Sequence, residues 1–141
     1  QPKRAPRRAS AESPSPSLDA AFSGRTVIVG DPASLPAVNA MLPALESQDV
    51  EVWFGYRNAQ DEDLPLAAAP HHTVRRVRHD GEGATMADAV LADWDAHRPT
   101  AQDRFWIAVE ASENRRLSTT LRSHYGVPRT HIDATAYWRN A

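Results

Sequence analysis

Apolar residues fall along this chain in two alternating rhythms. Short runs rich in β-branched and aromatic side chains are separated by stretches in which apolar positions recur every three or four residues. That alternation is the signature of βα units feeding a parallel sheet. The pattern predicts a first strand over Thr26 to Gly30 (TVIVG), nearly all apolar and so covered on both faces at the centre of the sheet. A helix follows from about Ser34, which is placed to cap it, with Leu35, Val38, Leu42 and Leu45 on one face and Pro36 tolerated in the first turn. Pro43 removes a backbone bond inside that stretch, so the helix should kink or restart there.

A second strand is expected over Val50 to Tyr56 (VEVWFGY), then an irregular stretch over RNAQDEDLPLAAAPHH with at most a short turn. Thr73 to Arg78 (TVRRVR) reads as a third strand, and its charges suit the sheet edge. Thr85 to Trp94 reads as a helix capped by Thr85, with Met86, Val90 and Trp94 inward. The fourth strand is expected over Phe105 to Val109. The next helix spans about Ser112 to Tyr125, with Leu117, Leu121 and Tyr125 on one face and Gly126 and Pro128 as its stop. A last strand is expected over about His131 to Tyr137. Trp53 and Trp106 should lie in the sheet layers, and Tyr137 should close the core. The prediction is a Rossmann-like, doubly wound α/β fold: a five-stranded parallel sheet, order 3-2-1-4-5, with helices on both faces.

Charge and composition change this picture at one end only. Residues 1–17 carry Lys3, Arg4, Arg7 and Arg8 against Glu12, a balance of +3, while the remainder carries 12 basic and 17 acidic residues, a balance of −5. The first segment is Pro- and Ser-rich without apolar periodicity, so residues 1–20 are expected to be a flexible basic leader and residues 21–141 the folded domain. Four cations without interleaved aromatics argue against a nucleic-acid partner. No apolar run approaches the roughly 20 residues needed to span a bilayer, which argues against a membrane protein. The chain begins with neither an initiator Met nor the apolar stretch of a secretory signal, which reads as a processed cytoplasmic protein. There is no cysteine, so thiolate metal sites and cysteine nucleophiles are excluded. The histidines show no metal-binding spacing, and neither a GxGxxG fingerprint, a P-loop nor a G-x-S-x-G elbow occurs.

In an open parallel sheet ligands bind at the carboxyl ends of the strands, where the winding direction reverses. In the predicted order that point lies between the first and fourth strands. It collects Gly30, Asp31, Pro32, Ala33 and Ser34 on one side and Glu110, Ala111 and Ser112 on the other. Gly30 and Asp31 suit equally a tight strand-to-helix turn with an acidic cap on the helix dipole. Glu110 suits equally a solvated first-turn residue. Arg57 and Arg78, after the second and third strands, are candidates to read the 2′-phosphate of NADP, or are simply exposed edge arginines.

These same positions carry a resemblance. Gly30-Asp31-Pro32-Ala33-Ser34-Leu35-Pro36-Ala37 is similar, at five of eight positions, to the Gly-Asp-Glu-Thr-Ala-Leu-Pro-Ala that follows the first strand in the nicotinamide-binding module of siderophore-interacting proteins. That family comprises flavin-dependent reductases that release iron from ferric siderophores. Ala108-Val109-Glu110-Ala111 resembles the family's Ala-Gly-Glu-Ala, with Val109 in place of glycine, and Ala136-Tyr137-Trp138-Arg139 resembles its terminal Gly-Tyr-Trp-Arg. The resemblance implies that NADPH or NADH is laid across the strand ends, contacting Gly30, Asp31, Ser34, Arg57, Arg78, Glu110, Ala111 and Trp138. It implies FAD only through a separate domain, because the leader cannot form the barrel that holds most of the flavin in the family. Implied partners are therefore a flavin-domain protein and a ferric siderophore. The departures at Pro32, Ala33 and Val109 leave open a second outcome, a module that keeps the fold, has lost cofactor use and acts in binding or protein interaction. Val109 would then stand where glycine admits close approach.

Overall fold

The computed structural model describes residues 24–79 and 85–136. The basic leader, Tyr137 and Trp138 lie outside the described residues. Five strands, β1 (Thr26–Gly30), β2 (Val50–Tyr56), β3 (Thr73–Arg78), β4 (Arg104–Ile107) and β5 (Ile132–Ala134), form one sheet in the order β3-β2-β1-β4-β5. Every pairing is parallel. β1 is buried along its whole length, as its continuous apolar sequence requires of a central strand. β3, at one edge, leaves Thr73, Arg75, Arg76 and Arg78 exposed.

Alternation along β1 divides the core in two. Val27 and Val29 face α2 (Met86–Ala96) and α3 (Ala111–Ser123), together with Trp53, Met86, Val90, Trp94, Phe105, Ile107, Val109, Leu117 and Leu121. Ile28 faces α1 (Leu35–Met41) on the other side, with Val38, Leu42, Leu45, Val52 and Trp106. Helices thus cover both faces, α1 on one and the α2–α3 pair on the other. Trp94 is fully buried and meets Phe105 and Tyr125 edge to face at 5.6 and 6.2 Å between ring centres.

The local rules act where the sequence places them. α1 stops at Met41 and the chain tightens into a 3₁₀ turn over Leu42–Leu45 with Pro43 near its start. Thr85 and Asp88 form a reciprocal capping box at the start of α2. Gly126 adopts φ 68°, the left-handed conformation that ends α3. Three boundaries differ from expectation. β4 ends at Ile107, two residues early, although Val109 still packs on the core face of Phe105 and Ile107. α3 ends at Ser123, so Tyr125 packs from beyond the helix, and β5 is a three-residue strand.

The irregular stretch after β2 contains a 3₁₀ turn over Ala59–Asp61 and is otherwise held by non-local bonds. Asn39 donates to the Pro65 carbonyl at 2.9 Å and accepts from the Ala67 amide at 2.8 Å. Arg76 donates to the Glu62 and Leu64 carbonyls, both at 2.9 Å. At the amino ends of the strands the charges pair with one another: Arg25 with Asp103 (3.2 Å) and Glu51 (3.6 Å), and Arg75 with Glu51 (2.9 Å). Among the described residues no helix is long and apolar enough to cross a membrane.

Candidate functional site

The carboxyl end of β1 delivers the chain into a turn, Asp31 to Ser34, that is closed on itself. The Ser34 amide donates to Asp31 Oδ1 at 3.2 Å, and the Asp31 amide donates to Ser34 Oγ at 3.1 Å. Ser34 is fully buried and Asp31 is 6% exposed. The reciprocity resembles a capping box, with Asp31 satisfying an amide at the start of α1 that would otherwise lack a partner. Gly30 is required by the same packing. A Cβ there would come within 2.9 Å of Ser34 Oγ and 3.0 Å of Val38 Cγ2. Its missing side chain makes room for α1.

On the β4 side the acid is also engaged. Glu110 is 4% exposed and caps α3: its carboxylate accepts from the Glu113 amide at 3.2 Å and from the Ser112 hydroxyl. Ala111 opens the helix, buried. Buried Asn114 donates to the Ile107 carbonyl at 3.3 Å, fixing the strand end against the helix. Val109 is 2% exposed and packs with Val29, Leu117 and their neighbours. The expectation that it would obstruct the approach to the strand ends is therefore corrected: its side chain belongs to the core.

The concavity lies on the other side of β1. A cleft of about 270 Å³ opens at the carboxyl ends of β1 and β2, lined by Asp31, Pro32, Ala33, Gly55, Tyr56, Arg57, Asn58, Asp61 and His79. The parallel register sets Gly30 beside Phe54 and Tyr56 beside Arg78, so the residues that follow these three strands converge there. His79 is held by its amide, which donates to the Tyr56 carbonyl at 3.0 Å. Of the residues proposed from sequence, Asp31 and Arg57 meet in this cleft, and Gly30 and Ser34 support its floor from within the turn. Arg78 ends β3 exposed and does not line it, and Glu110 and Ala111 lie across β1 on the β4 side.

Asp61 and His79 were not singled out from sequence. Among the described residues the Asp61 carboxylate makes no hydrogen bond or ion pair, while its backbone holds the 3₁₀ turn through bonds to Asn58 and Leu64. Among the described residues the buried His79 Nδ1 has no hydrogen-bond partner. An acidic residue shortly after the second strand of such a sheet was the available signal for Asp61. Nothing in the sequence marked His79.

The sequence model of the siderophore-interacting protein family matches residues 24–141. The chain belongs to that family. It is 29% identical over 113 residues to the mycobactin import ATP-binding/permease protein IrtA of Mycolicibacterium thermoresistibile, covering 79% of this chain and 12% of that one. It is 28% identical over 117 residues to the protein of the same name from Mycobacterium tuberculosis, with the same coverage. The chain thus spans about an eighth of the curated relatives it matches. Among solved structures, it is similar to the siderophore-interacting protein of Acinetobacter baumannii (TM-score 0.68, 16% identity, 84% of this chain and 47% of that one). It is also similar to SipS of Aeromonas hydrophila (TM-score 0.67, 23% identity, 84% and 52%). At these identities the structural likeness establishes the fold of this family module, which corresponds to about half of each solved chain.

Proposed function

We propose that this chain is the nicotinamide-dinucleotide module of a siderophore-linked ferric reductase, binding NADH or NADPH at the carboxyl ends of β1 and β2 and working with flavin held by a separate domain. The observation that carries the reading is the cleft between the Asp31–Ser34 turn and the segment after β2, at the strand ends where open α/β sheets take nucleotides. Its volume lies just below the roughly 300–1,000 Å³ of ligand pockets, room for one nucleoside of a dinucleotide with the remainder running over the strand ends. Its lining offers a guanidinium at Arg57, an amide at Asn58, a carboxylate at Asp61 and an imidazole at His79. These groups suit ribose and phosphate.

Bound there, the dinucleotide would supply a hydride, two electrons with one proton, which a flavin relays singly to ferric iron. The chain's own residues would bind and orient. Asp31 and Ser34 keep the turn rigid, Gly30 lets α1 approach, and Arg57 and Asn58 present donors. Family membership and the siderophore and mycobactin named in its relatives support iron uptake as the setting.

A second reading, a module without cofactor use, is favoured by one observation: Asp31 and Ser34 bond each other within their turn, and Glu110 caps α3. Calorimetric titration of the purified chain with NADH, NADPH and FAD, up to millimolar ligand, separates the two. The reductase reading expects saturable binding of at least one dinucleotide and none of FAD alone. Silence from both dinucleotides overturns it in favour of the second reading.

A further inference from the structure

We infer that the cleft between β1 and β2 takes the adenosine ribose of the dinucleotide as a free diol, and that Asp61 sets a preference for NADH over NADPH; this rests on the nucleotide reading above. Among the described residues the cleft carries two carboxylates, Asp31 and Asp61, against one guanidinium, Arg57. Asp31 already accepts from the Ser34 amide. Asp61 is different: among the described residues nothing bonds its carboxylate, although it lines the cleft from the 3₁₀ turn that follows β2. A carboxylate so placed accepts from hydroxyl groups, and the vicinal hydroxyls of an unphosphorylated ribose are donors of that kind.

A 2′-phosphate would instead bring about two negative charges to a wall that is already acidic. Like charges brought together at a binding surface oppose association. The sequence offers two arginines for such a phosphate, but the fold separates them. Arg57 lines the cleft and Arg78 does not, so among the described residues one guanidinium, not two, would meet a phosphate there.

The test is calorimetry of the full chain and its Asp61→Asn variant with NADH and NADPH, the thermal unfolding of both proteins being compared first. The wild type is expected to bind NADH about tenfold or more tightly than NADPH, the scale of one charge-assisted hydrogen bond gained and one repulsion avoided. In Asp61→Asn, NADH affinity should fall about tenfold while NADPH affinity stays level or rises, narrowing or inverting the preference. Wild-type binding of NADPH as tight as NADH, or an equal loss of both in the variant, overturns the assignment while leaving the nucleotide reading standing. If neither dinucleotide binds the wild type, the nucleotide reading fails and this inference falls with it.

Discussion

The two sides of β1's carboxyl end make opposite uses of the same residue types. Toward β4, Glu110 caps a helix, Val109 fills the core and Asn114 ties down the strand end. Toward β2, Asp61 lines a cleft and, among the described residues, nothing bonds its carboxylate. Both sides present an acid beside the central strand, so the presence of an acid at a strand end decides nothing. What separates them is whether its hydrogen bonds are already made within the chain. A buried polar group that is satisfied internally stabilises the fold and gains little from a ligand, whereas an unmade bond leaves free energy for a partner to supply.

The largest effect expected on this contrast is at Val109. Val109→Gly should remove a core side chain and add backbone freedom, lowering unfolding free energy by about 2–4 kcal/mol in urea titration, with dinucleotide affinity unchanged. A gain of affinity would move Val109 from the core to the site and dissolve the contrast. Glu110→Ala should be milder. Loss of the α3 cap is expected to destabilise by about 1 kcal/mol, again without effect on dinucleotide titration. A fall in affinity comparable to that of Asp61→Asn would show that the β4 side also holds ligand.

The smallest effect concerns Asp88, a capping carboxylate that does not line the cleft. The Thr85 backbone amide, and then Arg116, hold its pKa below the ordinary 3.8. A carboxylate depressed on folding contributes stability above its unfolded pKa and loses it as pH falls through the folded value. The urea midpoint of the wild type should therefore fall between that of pH 5 and that of pH 3 by a slightly larger interval than the midpoint of Asp88→Asn. Identical intervals would mean that the capping box contributes no measurable pH dependence.

The sheet was legible because its strands are short and apolar: TVIVG and VEVWFGY can be little else beside periodic stretches such as TMADAVLADW. The break at Pro43 and the cap at Thr85 followed from backbone chemistry that acts within a few residues. What stayed hidden depends on contacts across the chain. Asn39 and Arg76 fold the segment after β2 against the sheet through bonds spanning 12 to 28 residues, and that segment builds one wall of the cleft. Val109 could be recognised as a substitution, but that its side chain joins Val29, Phe105, Ile107 and Leu117 in the core is a matter of contacts across the chain. Asp61 and His79 looked like ordinary loop polars until the register of β1, β2 and β3 brought them together.

The most direct measurement is a map of backbone amide chemical shifts as NADH is added to the isotopically labelled chain. Ligand in the β1–β2 cleft predicts the largest changes at Ala33, the amides of residues 55–61 and His79, with those of residues 110–112 nearly still. Changes centred on residues 110–112 and Thr135 would place the nucleotide on the β4 side and contradict the account.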